Sequence, residues 1–154
     1  MTVLISFFCC LLILGASGCV TFRPAARASG PEVEEFLVCL GVAPAGELLA
    51  PRGAGEVFDP GAESLYAFVR LRDVGRDSRL CWRWYAPDGA LARDSGPVAV
   101  RTDGRLLAEV TAFDRLDLGT VPPARRRGAW TVVLFLEEEA GSVRTFLLKP
   151  GSAL

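Results

Sequence analysis

Three residue types are missing altogether from the 154-residue chain: it has no histidine, no asparagine and no glutamine. Lysine occurs once, as Lys149, and isoleucine only as Ile5 and Ile13. A preference for Arg, Ala, Gly, Val and Leu over Lys and Ile is the mark of a GC-rich genome rather than of a physical demand. The missing histidine has a chemical consequence. Without it the chain cannot build a Ser-His-Asp or Cys-His relay, nor a His-ligated metal site. The net charge is −1, from 17 basic and 18 acidic residues. That balance lacks the strongly basic face which a nucleic-acid partner requires.

Charge is also absent from one whole segment. From Met1 to Phe22 there is no charged side chain, and the run Val3–Leu14 is as apolar, and as long, as a signal-peptide core. Small residues follow, Gly15-Ala16-Ser17-Gly18, and then Cys19. An apolar core, a small-residue run and a cysteine in that order resemble the lipobox of bacterial lipoproteins, where the peptide is cut before a diacylated cysteine. The resemblance implies cleavage between Gly18 and Cys19, with a diacylglyceryl and palmitate-bearing Cys19 as the lipidation site. Two positions depart from the pattern. Ala16 stands where such motifs usually carry Leu, and no Lys or Arg precedes the core. The alternative is a single-pass N-terminal membrane anchor, since about 20 apolar residues span a bilayer. Arg23 and Arg27 would then mark the cytoplasmic side.

Residues 19–31 are rich in Ala, Gly, Ser, Pro and Arg and read as a flexible tether. Beyond them, short apolar segments alternate with turn signals, the pattern of an all-β sandwich. Strands are expected near Phe36–Val42, Leu65–Arg72, Arg79–Tyr85, Val98–Arg101, Leu106–Phe113, Trp130–Glu137 and Val143–Lys149. Pro87-Asp88-Gly89 reads as a turn, and Thr102-Asp103-Gly104 and Glu138–Gly141 read as hairpins. Within strands, Trp130, Val132 and Leu134 share a face, as do Leu80, Trp82 and Trp84. Glutamates in Pro31–Val38 admit a helix, but Phe36–Leu40 reads better as a strand.

Phe58, Leu-Tyr-Ala-Phe-Val-Arg-Leu (65–71), Trp-Arg-Trp-Tyr-Ala-Pro-Asp-Gly (82–89), Gly-Ala-Trp-Thr-Val (128–132) and Thr-Phe-Leu-Leu (145–148) follow one another in that order. Together they resemble immunoglobulin-like sandwich domains of bacterial exported proteins. The resemblance implies an all-β, single immunoglobulin-like antiparallel β-sandwich in an extracytoplasmic setting, and no activity. The expected organisation is therefore a signal peptide at 1–18, a lipidated tether at 19–31, the sandwich at 32–150 and a tail at 151–154.

Few residues suggest chemistry. Cys39 and Cys81 either form a disulfide closing a loop of about 40 residues, worth roughly 4 kcal/mol on loop entropy, or are two separate buried thiols. Trp82, Arg83, Trp84 and Tyr85 either present a stacked surface to a glycan or peptide or place both tryptophans in the core. Arg125, Arg126 and Arg127 either contact lipid or lipopolysaccharide phosphates or form a solvated loop. Glu137–Glu139 do not converge as a cation cage would, and Asp73, Asp77 and Asp94 show no paired-carboxylate spacing. No catalytic residue, metal site or cofactor is expected.

The function read from these features is a non-enzymatic, lipid-anchored binding or structural domain of the cell envelope. Val20 after the lipidated cysteine favours the outer membrane, facing the periplasm, by resemblance to enterobacterial sorting. The alternatives are a membrane-tethered accessory subunit with an envelope protein partner, or a hydrolase using carboxylates alone.

Overall fold

The computed structural model describes residues 30–149. Cys19, the leader and most of the tether lie outside them. The chain there is all-β, with one helical turn and one 3₁₀ turn as exceptions.

One sheet has three antiparallel strands in the order β1 (Glu32–Cys39), β5 (Ser64–Val74), β9 (Leu107–Asp117). The other runs β4 (Val57–Phe58), β11 (Glu139–Leu148), β10 (Gly128–Leu136), β6 (Ser78–Tyr85). The far side of β6 is shared by β7 (Leu91–Asp94) and β8 (Val98–Val100). Among the described strands only β4 and β11 pair in parallel. In the lettering of an immunoglobulin-like sandwich, β1, β5 and β9 take the places of A, B and E. Strands β6, β10 and β11 take those of C, F and G. The D place beside β9 is vacant among the described residues.

Side-chain alternation explains this pairing. Leu80, Trp82 and Trp84 of β6, Trp130, Val132 and Leu134 of β10, and Phe146 and Leu148 of β11 all face the three-stranded sheet. From that sheet Phe36, Val38, Leu65, Ala67, Val69, Leu71 and Leu116 face back, making one core. Trp82, Trp84 and Trp130 are fully buried. Each removes roughly 150–250 Å² from water, an upper bound of about 4–6 kcal/mol apiece. Phe146 sits at the centre of the aromatic cluster. Phe58 and Trp84 meet it edge-on at 5.9 and 6.1 Å, and Trp130 stacks on it at 6.3 Å.

All seven expected strands are present, with shifted ends. Pro31–Val38 contributes to a strand, not a helix. The first expected strand breaks at Leu40, and the chain turns into a separate hairpin, β2 (Gly41–Ala45) and β3 (Leu48–Arg52). This hairpin lies against β5 and β9. It adds a partial third layer over Phe68, which points away from the core yet is fully buried. Leu49 N–H ties the hairpin to Thr111 Oγ1 at 3.0 Å.

Two turns differ from expectation. Thr102–Gly104 is not a hairpin, because β8 and β9 belong to different sheets; it is the crossing between them. There Thr102 is buried, and both its N–H (2.8 Å) and its Oγ1–H (3.0 Å) donate to Asp77 Oδ1. The β10–β11 hairpin turns two residues earlier than expected, at Glu137-Glu138, where φ is +52° and +72°. Positive φ at both central positions matches the twist of the flanking strands. Glu137 is held there by its own carboxylate, which accepts the Arg79 N–H at 2.8 Å.

Candidate functional site

The residues singled out in the sequence fall in different places. Cys39 and Cys81 are both free thiols. Cys39 pairs with Tyr66 on the outer side of the three-stranded sheet, buried, its thiol donating to Gly41 O at 3.2 Å. Burial pushes this thiol above its ordinary range. Cys81 alternates with inward Leu80 and Trp82, so it lies on the outer face of the other sheet. It donates to Asp94 Oδ1 at 3.2 Å, and burial first, then Asp94, raises its pKa. The disulfide alternative is therefore not realised. The two thiols stand on opposite outer faces, with both layers of the sandwich, about 10 Å apart, between their strands.

Trp82 and Trp84 occupy the core, which leaves Arg83 and Tyr85 as the outward members of that motif. The arginine triplet is not a uniform basic loop. Pro123–Arg126 forms a single turn of helix, α1. Arg125 reaches Asp88 at 2.9 Å and thereby helps hold that carboxyl below its ordinary value. Arg126 donates its Nε–H to Val121 O at 2.8 Å and accepts the Trp130 indole N–H at its carbonyl, also at 2.8 Å. Arg127 is exposed and has no side-chain partner among the described residues.

The outer face of β6, β10 and β11 brings the remaining candidates together. Register places Cys81 opposite Phe135, Arg83 opposite Val133 and Tyr85 opposite Thr131, with Val143 beside Val133 and Val57 beside Leu147. The Arg83 guanidinium lies over the Phe135 ring at 4.6 Å while its Nε–H bonds Asp94 at 2.9 Å. Asp94 also accepts from Gly96 N–H (2.8 Å), the first of the hydrogen bonds that depress its pKa. These groups, with Arg79, Pro97 and Glu138, line an open depression of about 390 Å³. Val143 and Val57 are about half exposed, at 52% and 53%. The arrangement is an apolar, partly aromatic sheet face with one stacked arginine at its rim.

Sequence reasoning missed one polar centre. Asp114 of β9 faces inward and is 8% exposed. Its Oδ2 accepts the Trp84 Nε1–H at 2.8 Å, and Arg93 of β7 binds both carboxylate oxygens at 2.9 and 2.7 Å. The signal was present: in Leu107–Asp117 an aspartate falls at the inward position between Ala112 and Leu116, and buried tryptophans want an acceptor. Both Asp114 oxygens are engaged, so the site reads as a tie between the two sheets. Among the described residues no His, Cys, Asp or Glu group could hold a metal, and no helix is long and apolar enough to cross a membrane.

No known protein family and no curated protein matches the chain. Among solved structures, an immunoglobulin-like protein from Pseudomonas aeruginosa is similar at 13% identity, over 80% of this chain and 100% of that one, with a TM-score of 0.46. That likeness concerns shape alone.

Proposed function

We propose that this chain is a bacterial envelope lipoprotein, anchored through a diacylated Cys19, whose sandwich binds another envelope protein and carries out no catalysis. The anchor rests on the apolar core, Gly15–Gly18 and Cys19; Val20 favours the outer membrane. The observation that carries the binding reading is the outer face of β6, β10 and β11. There Val133 and Val143 lie in line across the strands from Arg83 beside the Arg83–Phe135 stack, and Val57 lies on the far edge strand of the same face. Aromatic and aliphatic side chains around an arginine are the make-up of protein–protein contact patches.

The anchor and the face are tested separately in cells of the source type. An alkyne-labelled fatty acid is expected to mark the wild-type chain, and Cys19→Ser is expected to remove both the label and membrane retention. A photoreactive side chain at Val143 should give a discrete cross-linked species that Arg83→Ala diminishes, while the same group at exposed Leu40 gives none. Labelling that survives Cys19→Ser would refute the anchor. Identical cross-linking from Val143 and Leu40 would refute the face.

A further inference from the structure

We propose that β9 is a pairing edge for a second copy of this chain. Two β9 strands would meet antiparallel about a two-fold axis at Ala112, joining two three-stranded sheets into one of six. Strand β9 is eleven residues long, pairs only with β5, and keeps one unbroken register from Ser64↔Asp117 to Val74↔Leu107. The vacant D place leaves its other side without a backbone partner among the described residues. Such a row of free N–H and C=O groups is a template for another strand.

The other edges of the two main sheets are short or obstructed, and β9 is neither. Strand β1 carries Glu32, Glu34 and Glu35, and its Phe36 carbonyl accepts Arg144 Nε–H at 2.6 Å. Strands β4, β7 and β8 are only two, four and three residues long. Strand β9 contains no proline or lysine and no bulge. Its outward row, Glu109, Thr111, Phe113, Arg115 and Asp117, has a half-exposed aromatic at its middle, Phe113 at 41%.

The strand's own charges select the partner. With the axis at Ala112 all eleven residues overlap, and Glu109 of each copy lies opposite Arg115 of the other, twice by symmetry. Thr111 then lies opposite Phe113. Moving the axis to Phe113 sets Glu109 against Asp117; moving it to Asp114 sets Asp114 against itself. With the axis at Thr111, Glu109 faces Phe113 and no opposite charges meet within the strand. Like charges directly opposed destabilise strand pairs and opposite charges support them. Within one copy Glu109 already pairs with Arg70 at 3.0 Å, and Arg115 donates to Ser64 Oγ at 2.8 Å, so the cross-copy pairs lengthen existing ladders. An interface closed by its own symmetry needs no other protein.

The test is sedimentation of the full-length chain in detergent, up to about 100 μM, where even a weak strand-edge dimer would assemble. Wild type is expected to show a reversible monomer–dimer equilibrium. Arg115→Glu and Glu109→Arg should each raise the dissociation constant about tenfold, and the double variant E109R/R115E should restore it. Melting curves confirm that each variant is folded. A wild type monomeric throughout the range overturns the proposal. So does a dimer indifferent to both reversals, as one formed by the apolar leader would be, or a double variant that fails to recover.

Discussion

Trp84 and Asp114 bond across the sandwich, indole Nε1–H to carboxylate Oδ2, at 2.8 Å. They come from opposite sheets, so this is a polar tie through an otherwise apolar core. Asp114→Ala leaves the buried indole donor without an acceptor and Arg93 without its partner. It should cost about 2–4 kcal/mol in denaturant unfolding. Trp84→Phe should cost more than Trp82→Phe, because among the described residues the Trp82 Nε1 has no hydrogen-bond partner and its loss is one of volume only. The pair Trp84→Phe with Asp114→Leu should cost less than the sum of its singles.

Phe146 and Val143 lie on the same strand but on opposite faces. Phe146→Ala opens the centre of the cluster formed by Phe58, Trp84 and Trp130 and should cost about 3–5 kcal/mol. Val143→Ala, half exposed on the outer face, should change stability by about 0.5 kcal/mol or less. Comparable losses from both would contradict the assigned face of β11.

Acid should weaken the crossing between the sheets. The two Thr102 hydrogen bonds hold the Asp77 carboxyl below its ordinary 3.8. A carboxyl depressed by folding contributes its stability above the unfolded value and loses it as pH falls through the folded one. Asp88 and Asp94 are depressed as well. Melting temperature should therefore fall between about pH 5 and pH 2. Asp77→Asn should show a shallower fall, and equal slopes for the two proteins would count against the assignment.

The Glu137-Glu138 turn holds two non-glycine residues at positive φ. Glu138→Gly relieves one of them and should stabilise the chain by about 1 kcal/mol in thermal or denaturant unfolding. Glu137→Gly should not match that gain, because it forfeits the bond from Arg79 N–H.

Period-two alternation made seven of the strands legible, and with them the core tryptophans and Phe146. The missed elements carry little of that signal. Hairpin β2–β3 is mostly Ala, Pro and Leu without alternation, and it folds over the outside of a sheet rather than into the core. Strands β4 and β7 are held by one neighbour each and are short. Sheet membership was hidden for a different reason. Thr102-Asp103-Gly104 has turn chemistry whether it joins neighbours or crosses between layers, and only the distant Asp77 contact distinguishes the two. The candidate face was half legible: Arg83 and Tyr85 were noticed, whereas Phe135 and Asp94 join them only through cross-strand register.

The parallel pairing of β4 with β11 also bears on timing. It joins Val57 to Leu147, and Arg144 reaches Phe36 across an interval of 108 residues. Contacts of such long sequence separation close late, because the intervening chain must lose its freedom before they form. Strand β11, which also completes the surroundings of Trp130, is the last of the described strands to be synthesised. A ribosome-bound chain therefore remains without its sandwich until nearly the whole domain has emerged, and truncation before Val143 should leave a chain that collapses but does not fold. Such a polypeptide stays threadable through a narrow pore for as long as it is being made.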